Sequence, residues 1–344
     1  MPFRDLIGHR RLVALLTRSV ARQTLPPSLI FSGPTGVGKR LAALSTAQAL
    51  NCLEPITFTQ PDGSGPGLDA CGTCPPCTRI ARGVHPDVLV IQPNDKGNIK
   101  IEPVREAIDR AGYRPFEGRR RVTIIDSADG LEIGAQNALL KILEEPPPSS
   151  VFILVTALPD TLLQTVRSRC PQLRFRALEP REVVAALQRL KGGLDDGQAY
   201  RLASMADGSI GAALSHVASE GEDTDVRDVA FRVLVQVAAS EDGRKRMELS
   251  KELTAKTSAS ISERDQLALY LRAMSTLLRD VELVASGADT ALLANGDLQG
   301  RFDRLSAFAG DRGRKAFQAV DRAMAAIDRY ANAKILADWL VLEL

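Results

Sequence analysis

Residues Gly33-Pro34-Thr35-Gly36-Val37-Gly38-Lys39-Arg40 have the spacing of a phosphate-binding loop, but Arg40 stands where such a loop carries Ser or Thr. Glycines at 33, 36 and 38 let backbone N–H groups approach phosphate oxygens, and a lysine at 39 reaches the β/γ-phosphates. The hydroxyl that should follow ligates Mg²⁺. An arginine has no lone pair to offer a metal and repels it with its own charge. The pattern therefore keeps a phosphate cradle in Gly33, Gly36, Gly38 and Lys39 and loses the metal ligand at Arg40. The flanks argue against a chance glycine-rich turn. Ser28-Leu29-Ile30-Phe31 reads as a strand entering the loop, and Leu41 to Leu50 as a helix leaving it.

A second apolar run, Arg121-Val122-Thr123-Ile124-Ile125-Asp126, reads as a buried parallel strand ending in a carboxylate. In phosphate-loop ATPases such an Asp helps to hold Mg²⁺, and in many the following acid polarises the attacking water. Here the following residue is Ser127, whose hydroxyl is far too weak a base. Asp129, two residues further on, should point elsewhere. Two losses in one site speak against hydrolysis and leave nucleotide binding open.

Cysteines suggest a separate chemistry. Cys71, Cys74 and Cys77 share a two-residue spacing in a Gly/Pro/Asp-rich stretch, and Cys52 closes the preceding helix. Four thiolates enclose a tetrahedral Zn²⁺ with no open position, which is a structural site. An iron–sulfur cluster uses similar three-cysteine spacing, although the fourth cysteine expected soon after Cys77 is absent. Disulfides are disfavoured because nothing marks the chain as secreted. His85 lies eight residues beyond Cys77 and is a remote reserve ligand at most; His9, His85 and His216 share no metal or dyad spacing. Cys170 reads as a small buried apolar residue.

The strings Asn137-Ala138-Leu139-Leu140-Lys141-Ile142-Leu143-Glu144-Glu145-Pro146-Pro147 and Ser168-Arg169-Cys170, with the strand-like Val151 to Thr156 between them, carry a family resemblance. Together they resemble the clamp-loader branch of the AAA+ ATPases, strongly to about Arg176 and more weakly beyond. The resemblance implies a RecA-like parallel sheet, a small helical lid and an all-α collar. It implies that Arg169 projects as an arginine finger into a neighbouring subunit's nucleotide site, although any one arginine is more simply a surface ion pair. It also implies a zinc module at Cys52, Cys71, Cys74 and Cys77. The branch's motors carry a lid arginine where this chain has Gly211, in Gly208-Ser209-Ile210-Gly211. A degenerate loop with an intact Ser-Arg-Cys is similar to the delta-prime type of subunit in bacterial DNA polymerase III. The implied partners are delta and gamma/tau subunits, the sliding clamp and primer-template DNA. An active gamma/tau-like motor that tolerates Arg40 is the alternative, and a stand-alone zinc-dependent DNA-binding module is a weaker one. Leu6-Ile7-Gly8-His9 resembles the branch's adenine-side loop, which keeps ATP or ADP binding open.

Composition agrees. The 344 residues suffice for two or three domains, and the net charge of +2 gives no global case for nucleic-acid binding. No secretory h-region or bilayer-spanning run is present, so a cytoplasmic protein is expected. The elements must position the chemistry as follows. Strands are expected near 29–31, 88–91, 122–125, 151–155 and 172–175, with helices between them, including one from Pro103 to Gly112 and one from Asp160 to Arg167. The expected organisation is an AAA+ domain over 1–176 with the zinc module at 52–77, a lid over 177–220 broken at Gly192-Gly193, and a collar over 221–344. Gly221-Glu222-Asp223-Thr224 reads as a linker. Stripes such as Phe231, Leu234, Val237 and Leu267, Leu271, Met274 read as helical core. Arg119-Arg120-Arg121 reads as a solvated charge run, with DNA phosphate contact the less favoured role.

Overall fold

Hydrophobic patterning in the first half of the chain gives a sheet covered on both faces. The computed structural model describes residues 1–60, 65–94, 97–218, 222–240, 242–254, 263–288, 293–328 and 331–344. The chain divides into two compact units, residues 1–190 with 207–212, and residues 191–206 with 213–344.

In the first unit α1 (Arg10–Ala21) precedes β1 (Ser28–Ser32), and α2 (Lys39–Asn51) leaves the glycine-rich loop. A hairpin of β2 (Ile56–Thr59) and β3 (Pro66–Asp69) leads into α3 (Pro75–Ala81). Then come β4 (Val88–Ile91), α4 (Ile101–Ala111), β5 (Arg121–Ile125) and α5 (Ile133–Glu144). After them come β6 (Ser150–Thr156), α6 (Gln164–Arg167), β7 (Gln172–Arg174) and α7 (Pro180–Lys191). Five strands pair in parallel in the order β4-β5-β6-β1-β7, with Ile30 opposite Leu154 and Ile124 opposite Ile153.

Side-chain alternation divides the core. Leu29 and Phe31 of β1 pack with Leu16 of α1 and Ala43 of α2, whereas Ile30 packs on the other face with Val104 of α4 and Leu139 of α5. All five expected strands are present, and their carboxyl ends bring the loop after β1 beside Asp126 and Thr156. That edge is where open α/β sheets place their ligands.

Two expectations about these elements need correction, and one element is unforeseen. The 160–167 stretch is not one helix but a 3-10 turn, Pro159–Thr161, followed by the short α6. Gln136 enforces the break: its side-chain oxygen accepts from Leu163 N at 2.7 Å and its amide donates to Thr161 O at 3.4 Å, replacing helical partners. The helix expected from Pro103 begins at Ile101, with Pro103 inside the first turn, where a missing N–H costs no helical bond. The β2–β3 hairpin was not foreseen, although Ile56-Thr57-Phe58-Thr59 is rich in β-formers.

Beyond Leu178 the described residues contain no strand. Gly192 and Gly193 separate α7 from α8 (Asp196–Met205), whose N-terminus is closed by a reciprocal Asp195–Gln198 capping box; α9 is Ile210–Ala218. The expected linker residues Glu222, Asp223 and Thr224 instead start α10 (Glu222–Ala239); Gly221 lies outside the described residues. Then α11 (Gly243–Thr254), α12 (Glu263–Ala285), a 3-10 segment (Gly296–Phe308), α13 (Asp311–Asp328) and α14 (Ala333–Glu343) follow. Phe231, Leu234, Val237, Leu271 and Met274 lie in their single apolar core, as the stripes predict.

Candidate nucleotide and metal sites

The loop between β1 and α2 has the backbone that its glycines permit. Gly33, Gly36 and Gly38 have φ of +142°, +75° and +100°, a region that side-chain-bearing residues rarely enter. A Cβ at Gly33 would sit 2.1 Å from Phe175 O. Lys39 folds back on this loop, and its ammonium donates to Gly33 O and Pro34 O at 2.6 Å each. Burial lowers the Lys39 pKa to about 8, against the raising effect of Asp129 and Asp126.

Residues 208–212 pack on the same loop. Gly211 N donates to Gly36 O at 3.0 Å, and a Cβ at Gly211 would lie 3.1 Å from Gly36 Cα. A Cβ at Gly36 would in turn meet Ser209 Oγ at 2.1 Å. The expected loss of a cation at 211 is therefore also a steric fact: backbone rests on backbone there. Just before α1, His9 is buried, with Nε2 3.0 Å from Val37 O and its ring edge-on to Phe175 at 4.8 Å.

Arg40 takes the place expected of a metal. Its guanidinium lies 3.3 Å from the Asp126 carboxylate. Gln92, with its amide turned oxygen-first, accepts from both terminal nitrogens of Arg40 at 3.3 and 2.5 Å. The carboxylate that would coordinate Mg²⁺ thus already faces a fixed positive charge. Asp129, expected to point elsewhere, instead acts on Lys39 more strongly than Asp126 does, while its Oδ1 accepts from Thr156 Oγ1 at 2.8 Å and Ala157 N at 3.1 Å.

Arg169 lies away from this loop, just past α6. Its side chain is one-third exposed, and one guanidinium nitrogen donates to Thr165 O at 2.8 Å and Ser168 Oγ at 3.3 Å. The other donates to Glu144 at the end of α5. Cys170 is buried, and that burial pushes its thiol up to about 12.

The four module cysteines converge. The Sγ atoms of Cys52, Cys71, Cys74 and Cys77 all lie within 4.8 Å of one another, and none is in a disulfide. Burial raises the Cys52 and Cys77 thiols. At Cys71 burial also opposes the thiolate, but N–H groups of Cys74 and Thr73 outweigh it and bring the pKa to about 6. Three buried or nearly buried sulfurs, one poised thiolate and no neighbouring carboxylate ligand fit a soft, tetrahedral cation. His85 is outside the cluster. Its Nδ1 accepts from Asp87 N at 3.1 Å and Nε2 faces Glu117 at 3.3 Å.

Residues 8–179 match the family described as DNA polymerase III, delta subunit. The chain belongs to that family. It is 34% identical over 209 residues to DNA polymerase III subunit gamma/tau of Mycobacterium tuberculosis, covering 60% of this chain and 34% of that protein. It is 34% identical over 175 residues to subunit delta' of Bacillus subtilis, covering 50% and 49%. The chain thus spans between a third and a half of these relatives' lengths. Among solved structures, a gamma subunit-related protein of Thermotoga maritima aligns over 95% of this chain and 96% of that one, at 17% identity and a TM-score of 0.42. The fold is a five-stranded parallel sheet flanked by helices, with a glycine-rich loop after β1 and a mostly helical C-terminal region.

Within this DNA polymerase III family member, the structure adds residues that sequence reasoning missed. Asp87, buried, accepts from the N–H groups of Phe116, Glu117 and Gly118 at 2.7, 2.9 and 2.8 Å and from Arg121 at 3.0 Å. Arg121 is accordingly an internal brace, also bonded to Arg110 O and Arg114 O, and not part of a solvated run. Arg120 donates to Pro148 O, while Arg119 is exposed. The only signal for Asp87 was an acid directly before an apolar strand. No helix among the described residues is long and apolar enough to cross a membrane, and the His216 side chain lies outside those described.

Proposed function

We propose that this chain is a non-hydrolysing, delta-prime-type subunit of a bacterial DNA polymerase III clamp loader. In this reading it holds delta and gamma/tau subunits in a ring that places the sliding clamp on primed DNA, and it supplies Arg169 to a neighbouring subunit's ATP. The observation that carries the reading is the Arg40–Asp126 pair at 3.3 Å, which puts a guanidinium where a motor needs Mg²⁺. Ser127 in place of an acid and Gly211 against Gly36 act in the same direction.

The nucleotide site is read as vestigial. Lys39 and the loop amides still offer donors to phosphate, so any ADP or ATP bound there binds with little dependence on Mg²⁺. Cys52, Cys71, Cys74 and Cys77 hold a structural Zn²⁺ that shapes the 52–77 excursion and takes no part in a reaction.

Arg169 suits an action in trans. Its planar fork sits at a helix end, partly exposed, and such a group stabilises charge on a transferring phosphoryl group. The test is reconstitution with gamma/tau and delta subunits, with assembly checked by size exclusion. Arg169→Ala should assemble normally and lose clamp- and DNA-stimulated ATP turnover by up to about 10³-fold. Undiminished turnover would remove the mechanism. Mg²⁺-dependent turnover by the isolated chain, abolished by Lys39→Ala, would favour the gamma/tau-like motor instead.

A further inference from the structure

The carboxylate of Glu144 is joined to Arg169 across 25 residues of sequence, and the fold of either element alone does not require it. Glu144 is the last residue of α5, where the unsatisfied carbonyls of a helix disfavour a negative side chain. Its half-exposed side chain bonds to one of the two outer nitrogens of the Arg169 fork. The other outer nitrogen is fixed by Thr165 O and Ser168 Oγ, both local to α6. The guanidinium is thus docked on its own helix end and capped by an acid brought from α5.

We propose that Glu144 is a positioning residue that latches Arg169, occupying the place on the fork that a neighbouring subunit's phosphoryl group must take. This rests on the reading of Arg169 as a finger in trans and adds its regulation. A carboxylate and a phosphoryl oxygen compete for the same two-pronged donor. A phosphoryl group with its greater negative charge displaces an exposed carboxylate, because exposed ion pairs are weak. The latch therefore holds the finger back until ring closure on clamp and primed DNA brings the phosphates into reach. Glu144 touches no substrate; it acts through Arg169.

The test is a double-mutant cycle in the reconstituted complex, reading ATP turnover with and without clamp and primed DNA. Glu144→Gln keeps the shape and removes the charge. It should raise unstimulated turnover by about 2- to 5-fold, the factor that corresponds to an exposed pair, and lower the stimulation ratio accordingly. In an Arg169→Ala background the same change should do nothing, since the latch then has nothing to hold. A merely structural Glu144 would give the same effect in both backgrounds, and that result, or unstimulated turnover equal to or below wild type, overturns the latch. If Arg169→Ala alone leaves turnover unchanged, the finger reading itself fails. If Arg169→Ala lowers turnover but Glu144→Gln changes nothing, only the latch fails.

Discussion

Gly211 donates its backbone N–H to the carbonyl of Gly36 at 3.0 Å, so the start of α9 seals the phosphate loop with backbone alone. The contact is tight: a side chain at 211 would need Gly36 to give by a few tenths of an ångström, and one at 36, where φ is +75°, would also have to displace Ser209 Oγ. A Cβ at 211 would stand 3.1 Å from Gly36 Cα and 3.6 Å from Gly36 O. Restoring a motor-like arginine at 211 should therefore harm the fold before it helps a nucleotide. Gly211→Arg is expected to destabilise the chain by about 1–3 kcal/mol, as overpacked sites do, and to gain no ATP turnover. Urea unfolding checks the first point. An unchanged midpoint would mean that the contact opens freely.

The Arg40–Asp126 pair makes a prediction about metal. In wild type the carboxylate already faces a guanidinium, so adding Mg²⁺ should change the affinity for a labelled ADP little. Arg40→Ser removes that charge and supplies a hydroxyl. Its nucleotide affinity should become Mg²⁺-dependent, rising when the metal is present. Turnover should stay absent, because Ser127 still cannot act as a base. A strict Mg²⁺ requirement in the wild-type chain would contradict the pairing.

Much of this site was legible in the sequence because its signals are local. The glycine spacing, Arg40 and Ser127 each report on one backbone position, and the cysteine spacing reports on one module. Four of the five strands, β1, β4, β5 and β6, were legible because they are short apolar runs bounded by turns or polar residues. What failed depends on long-range capture of backbone groups. Gln136 breaks the 160–167 helix from 25 residues away, and Asp87 gathers a loop 29–31 residues downstream. Glu144 lies in the run Asn137 to Pro147, yet nothing in its residue type reveals that its partner is Arg169. The steric role of Gly211 was equally invisible, since spacing reveals a missing cation but not what fills its place.

Two buried histidines predict the pH dependence of stability. Burial lowers the pKa of both His9 and His85 below the ordinary 6.5. A group whose folded pKa is depressed contributes stability that is full above its unfolded pKa and is lost as pH falls below it, because the unfolded chain binds more protons. The histidine contribution should thus be flat from about pH 7.5 down to about 6.5 and fall below that, by at most about 1.4 kcal/mol per pH unit for each histidine. It comes on top of the loss from Cys71, whose thiol at about 6 already costs stability as pH falls from the ordinary thiol range. Asp87 adds nothing in this window. Its amide partners and Arg121 outweigh burial and hold it below 3.8. Urea unfolding at pH 7.5 and 5.5 measures the slope, and His9→Gln or His85→Gln should flatten it. Slopes equal to wild type in both variants would assign the acid sensitivity elsewhere.

The cysteine module predicts an effect of metal beyond its own loop. Protein prepared without chelators should carry about one Zn²⁺ per chain, whereas iron with visible absorbance, or no metal in reduced protein, would reject the assignment. The loosening on removal should also reach the N-terminus. Asp69 accepts from Phe3 N at 2.8 Å, and Arg4 donates to Ala70 O at 2.9 Å and Cys71 O at 2.6 Å. Phe3 is buried behind these bonds, and Leu6 Cδ1 lies only 3.2 Å from where a Cβ on Gly38 would be. Losing the metal removes what fixes Cys71, and with it the acceptors that hold residues 3–6 against the phosphate loop. Hydrogen exchange with and without chelator should show faster exchange at Phe3, Arg4 and Leu6 as well as within 52–77. Arg4→Ala separates the two effects. It should cost about 1 kcal/mol from lost hydrogen bonds while leaving the zinc content at one, because no thiolate is touched. Unchanged exchange at Phe3 to Leu6 after metal removal would show that the module folds as an isolated excursion, and that Arg4 and Asp69 suffice to hold the N-terminus without it.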